Sequence, residues 1–143
     1  MTTLSNRFFR AAFVFFGIGI ALGIGMSLTH DFTFRPVHVH VNLIGWVGFF
    51  LYGAFYRLFP EEGGTRLAQA HFWSALVGLP PMVSGLGFLV SGMPAIGVPL
   101  LLAGEAVTVL SVVLFLVVGF KATRTAPALA ERAPRVEPRS SAL

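Results

Sequence analysis

Cysteine is absent from these 143 residues. That excludes a disulfide framework, thiolate-bound zinc or iron–sulfur clusters and covalent haem attachment through CxxCH, and it leaves imidazole as the main metal ligand. Charge is scarce too: 11% Asp, Glu, Lys and Arg against 55% hydrophobic residues, with a mean hydropathy of +0.80. A soluble domain of this size cannot hide so much apolar surface, so the chain reads as an integral membrane protein whose first partner is a lipid bilayer. It carries no phosphate loop, no nucleophile elbow and no paired carboxylates. The formal net charge of +4 comes from basic residues at the ends of apolar runs, which is a topology signal and argues against nucleic acid as a partner.

What is present is four apolar runs, at about 8–28, 37–59, 67–90 and 95–120. Each reaches the roughly 20 residues that cross a bilayer. Backbone in hydrocarbon must bond within itself, so each run is expected to be a helix, and the short polar gaps make neighbours antiparallel. The expected fold is an all-α membrane protein: four transmembrane helices over 1–120 in an up-down arc or bundle, then a disordered cytoplasmic tail over 121–143, rich in Pro, Ala, Arg and Ser. The first run is long for a secretory signal and no clear A-x-A-type site follows it, so it is read as a retained helix. Arg7, Arg10, Arg57, Arg66, Lys121 and Arg124 fall on one side and Arg35 on the other. The positive-inside rule then puts both termini in the cytoplasm, with the chain in a bacterial inner membrane. Small residues recur four apart at Gly17, Ala21 and Gly25 and again at Gly19 and Gly23, with further glycines at 45, 48, 53, 78, 85 and 87. They allow close helix approach, or slots for a flat ligand. Pro80–Pro81 are expected to kink the third helix.

The densest information lies in Arg35–Pro60, RPVHVHVNLIGWVGFFLYGAFYRLFP, where His38 and His40 stand at the mouth of an apolar helix. Ionisable or metal-ligating residues there mark a functional site by default. Two residues apart on a helix, the two imidazoles point roughly 200° away from each other. His38 shares a polar stripe with Asn42, Gly45, Phe49, Tyr52 and Tyr56; His40 shares an apolar one with Ile44, Val47, Leu51, Phe55 and Leu58. A metalloporphyrin would give His40 a metal and cover its stripe; hydration at interface depth is the plainer alternative. His30 lies on the same side and is a weaker candidate for a copper or zinc site with His38 or His40, or a solvated loop residue. Arg35 suits a carboxylate such as a haem propionate, or is an interfacial snorkelling side chain. His71, near the opposite surface, sits on the order of 20 Å in height from His40 at 1.5 Å per residue and reads as an interfacial anchor. Glu105, deep in the fourth run, is either a proton-handling group or an acid hydrogen-bonded to a neighbour.

H-x-H followed by an apolar helix ending in Y-x-x-x-P, here His38–His40 through Tyr56 to Pro60, resembles the tenth helix of the haem-copper oxidase catalytic subunit. In that family the two histidines ligate two haems on opposite sides of the helix. R-P-V-H at Arg35–His38 and H-V-N at His40–Asn42 resemble two versions of the frame around the low-spin haem ligand on the second helix of oxidases and nitric oxide reductases, and the two frames differ on which histidine is equivalent. The resemblance implies b-type haem, with Arg35, His38, His40 and Asn42 as the cofactor-binding residues. It also implies one four-helix arc of a twelve-helix ring, which three copies would rebuild as a homotrimer. The family's copper ligands have no counterpart: no H-P-E-V-Y segment and no His–His pair ending the third helix. Enzymatic activity is therefore left open, oxidoreductase-like if any. The readings are a haem protein for electron transfer with a respiratory redox partner or for diatomic gas binding, a non-haem copper or zinc binding or transport protein, or a structural or assembly partner of a respiratory complex.

Overall fold

A computed structural model describes residues 3–132, with side chains to Arg124. Four helices dominate it: α1 (Leu4–Thr29), α2 (Arg35–Leu58), α3 (Arg66–Val90) and α4 (Pro94–Arg132). All are long and apolar enough to span a bilayer, and no strand occurs among the described residues. The four expected runs match these helices to within a few residues at each start. α4 continues beyond Phe120 to Arg132, through the first part of the expected tail; residues 133–143 lie outside the described residues.

Local chemistry sets the helix ends. The Thr3 hydroxyl accepts the Asn6 N–H at 3.4 Å and the Thr65 hydroxyl accepts that of Ala68 at 3.2 Å, capping donors that α1 and α3 otherwise leave unpaired. α1 ends at His30 in the left-handed conformation (φ 54°), and Pro36 sits in the first turn of α2, where its missing N–H costs nothing. α2 is not uniform. From Val41 to Gly48 it winds as a π-helix, whose wider turn starts directly after His40 and resets the phase of the aromatic stretch Phe49–Leu58. α3 continues as a helix through Pro80 and Pro81.

Lipid tails are as apolar as leucine, so contact distance decides how these helices associate. α3 and α4 make the closest contact. A Cβ on Gly85 would meet the Leu101 backbone, one on Gly104 the Met82 backbone, and one on Gly78 would come within 2.8 Å of the Thr108 amide. α1 lies along α2, where Gly53 accommodates the Phe9 ring and accepts a 2.8 Å bond from the Ser5 hydroxyl. An aromatic cluster joins the two pairs at the arginine-bearing end. Phe8 stacks on Tyr56 at 5.6 Å and meets Phe72 edge-on at 5.0 Å, while Phe115 of α4 packs on Tyr52 at 4.6 Å. Lys121 and Glu62 form an ion pair at 3.1 Å at that same end.

Because backbone cannot yield to a new Cβ, Gly104→Val should overpack the α3–α4 seam and cost about 1–3 kcal/mol. Gly17→Ala, with open space around it, should be neutral or slightly stabilising. Thermal unfolding in detergent followed by circular dichroism should show a lowered Tm for the first substitution alone.

Candidate haem-ligand pair on the second helix

His38 and His40 share the first α-helical segment of α2, Arg35–His40, and leave it on different flanks. His38 faces α1. The antiparallel register sets Gly23 against His38 and Gly19 against Asn42. A Cβ on Gly23 would lie 3.1 Å from the His38 ring, and one on Gly19 would strike the Asn42 amide. The two glycines thus form the seat of the imidazole, and His38 is half-buried there. Further along its stripe Phe49 and Tyr56 are buried, whereas Leu51 and Leu58 on the His40 stripe are exposed. The His38 stripe turns inward, whereas the His40 stripe is mixed: Leu51 and Leu58 are exposed while Ile44 and Phe55 pack against the core.

The hydrogen bonds define the chemistry of each ring. His38 Nδ1 lies 3.0 Å from the Gly19 carbonyl oxygen, and His40 Nδ1 lies 2.8 Å from that of Pro36. A carbonyl oxygen only accepts, so each Nδ1 carries the hydrogen and each Nε2 keeps its lone pair. This is the arrangement that orients a metal-ligating histidine: one nitrogen held by a backbone carbonyl, the other offered to the metal. The Asn42 amide donates to the His38 carbonyl oxygen at 2.8 Å, and the same nitrogen stands 3.3 Å from His38 Nδ1 and 3.5 Å from Nε2, both beyond normal hydrogen-bond length. Asn42 therefore braces His38 from one turn below.

The other expected site residues stand apart from this pair. Arg35 is exposed at the start of α2. His30 is exposed in the α1–α2 loop, where Asp31 takes hydrogen bonds from the Thr33 hydroxyl at 2.6 Å and the Thr33 N–H at 2.9 Å. Those bonds hold the Asp31 carboxyl below its usual range, the hydroxyl contributing most. The stability this turn adds is present above the ordinary Asp range and is lost as pH falls through the lowered value. Among the described residues no three of His, Cys, Asp or Glu come together as a metal cluster.

His71 is not the interfacial anchor its position suggested. It is 0% exposed, its Nδ1 is 2.9 Å from the Tyr56 hydroxyl, and among the described residues its Nε2 has no hydrogen-bond partner. Tyr52, Phe8 and Phe115 surround it with ring centroids at 4.5, 5.1 and 5.3 Å. The sequence hid this because depth along a helix does not say which face turns inward. The seat at Gly19 and Gly23 was also missed, although its signal was present: two small residues four apart opposite His38 and Asn42, themselves four apart.

Removing one member of the buried pair strands the other, at about 1–3 kcal/mol. Tyr56→Phe and His71→Phe should each lower the Tm. The double variant, which removes both polar groups, should recover much of the loss; equal and additive losses in a double-mutant cycle would contradict the pairing.

Three known proteins resemble part of the chain. A bacteroid homolog of cytochrome c oxidase subunit 1 from Bradyrhizobium diazoefficiens is 32% identical over 92 residues, covering 60% of this chain and 17% of that protein. Cytochrome c oxidase polypeptide 1 of Halobacterium salinarum is 44% identical over 55 residues, 36% of this chain and 9% of its own length. Subunit CcoN1 of the cbb3-type oxidase of Stutzerimonas stutzeri is 31% identical over 84 residues, 50% of this chain and 18% of its own. The chain thus spans less than a fifth of each of these relatives. No family model and no solved structure matches it. Four helices long and apolar enough to cross a membrane thus accompany distant, partial likenesses to cytochrome c oxidase subunit 1.

Proposed function

We propose that this protein binds b-type haem through His38 and His40, at the boundary between copies of the chain, and serves electron transfer or diatomic gas binding. The observation that carries this reading is the pair of imidazoles on two flanks of one helix, each with Nδ1 on a backbone carbonyl and with no partner of Nε2 among the described residues closer than the Asn42 amide, 3.5 Å from that of His38. A bare zinc or copper ion wants three or four protein ligands. A porphyrin supplies four nitrogens itself and asks for one imidazole per face, which is what each flank offers. An apolar cleft of about 560 Å³ opens near this end, lined by Leu22, Met26 and Phe34, with Asp31 at its rim. Neither imidazole lines it. A macrocycle on either flank would therefore be enclosed by a neighbouring copy, and three copies give the twelve-helix ring that the oxidase likeness suggests.

Bound there, haem with two imidazoles would pass electrons, and haem with one would keep a position for oxygen or nitric oxide. The chain's own share is to fix the rings: Gly19 and Pro36 set the tautomers, Asn42 braces His38, and Arg35 stands where a propionate would meet it. The distribution of the arginines supports a periplasmic position for this end in a bacterial inner membrane, with both termini in the cytoplasm.

Protein purified with haem supplied should show a Soret band that shifts on dithionite reduction, and carbon monoxide should shift it again only where a coordination position is open. His38→Ala and His40→Ala should each abolish or grossly change that spectrum, and Asn42→Ala should weaken haem affinity about 10-fold. No Soret absorbance in the unsubstituted protein would overturn the proposal.

A further inference from the structure

Glu105 projects from α4 as an exposed side chain. It stands 105 − 94 = 11 residues from Pro94, which at 1.5 Å per residue is about 16 Å, the middle of a hydrocarbon core about 30 Å thick. An ionisable group at that depth faces a neighbour rather than acyl chains, and among the described residues no hydrogen bond or ion pair involves it.

The residues around it form a pattern. Val98, Leu102, Glu105, Val109, Val112 and Leu116 are spaced 4, 3, 4, 3 and 4 apart, the a/d repeat of a two- or three-stranded coiled coil. All are exposed, Leu102 at 58% and Val109 at 61%. The seam that α4 gives to α3 is a different row, Gly97, Gly104, Ser111 and Val118, all buried. At 100° per residue the exposed stripe lies about 120° around the helix from that row. α4 therefore carries two seams, one used within the chain and one left free.

We infer that the free seam pairs α4 with α4 of a second copy, with Glu105 against the same residue of its counterpart. The carboxylic acid group selects this occupant. It carries its own donor and acceptor, so it is satisfied by an identical group. Copies inserted the same way up are related by an axis along the membrane normal, and a single stripe meets its counterpart on that axis, in a pair or in a three-copy ring alike. One polar residue in such a seam fixes register and copy number, and in lipid, where apolar stripes gain little from meeting, that bond sets the contact.

The absence of cysteine makes the test direct. Single substitutions Leu102→Cys and Val109→Cys, oxidised in membranes before solubilisation, should give disulfide-linked dimers on a denaturing gel several-fold more than Leu110→Cys and Val117→Cys, which are exposed but point off the stripe. Adding Glu105→Leu should lower cross-linking about fivefold, and adding Glu105→Gln should preserve it, because an amide also pairs with its own kind. Equal cross-linking on and off the stripe would overturn the inference. So would loss in the Gln variant equal to that in the Leu variant, which would point to a basic side chain on another protein. The readout needs no haem, so it stands or falls independently of the cofactor.

Discussion

Close approach of backbone to backbone, permitted by glycine, is the constraint on which this molecule rests. Inside a bilayer there is no water to drive helices together, and what holds them is short-range dispersion and hydrogen bonding. Gly78, Gly85, Gly97 and Gly104 let α3 and α4 touch main chain to main chain. The same device, used between α1 and α2, does something further. Gly19 and Gly23 leave room for a polar ring and amide, and the carbonyl exposed at Gly19 then fixes which nitrogen of His38 carries the hydrogen. Packing and ligand chemistry meet at one pair of residues.

The two ends of the bundle are built on opposite lines. At the arginine-bearing end, the Tyr56 hydroxyl and His71 Nδ1 pair inside a shell of aromatic rings. At the other end, the imidazoles of His38 and His40 are each tied down through Nδ1 to a backbone carbonyl. The π-helical stretch Val41–Gly48 separates them within a single spanning helix. Its looser winding lets one helix present histidines to its flanks at one end and bury Phe49 and Tyr56 at the other.

Much of the fold was legible in the sequence because hydrocarbon is an unforgiving solvent. Four long apolar runs in a chain with little charge leave helices as the only way to satisfy the backbone, and short gaps force them to alternate. The opposed directions of His38 and His40 followed from the helical repeat alone. The buried place of His71 was not legible, since its helix is apolar all round and the sequence pattern does not name an inward face. The π-stretch was equally hidden, because residues such as Val41, Ile44 and Val47 suit either winding.

By itself, then, the sequence determined the class, the four spans, the sharing of charge between the two ends and the two-flank placement of the imidazoles, since each follows from composition or from a fixed helical period. Only the tertiary structure decided that α1 supplies the seat of His38, that backbone carbonyls fix both tautomers, that His71 is sealed in the aromatic core, and that α4 keeps a second face free. Those facts depend on which helix sides meet, and the pairing of sides is set by the fit of many small contacts across the chain, which no single stretch of sequence contains.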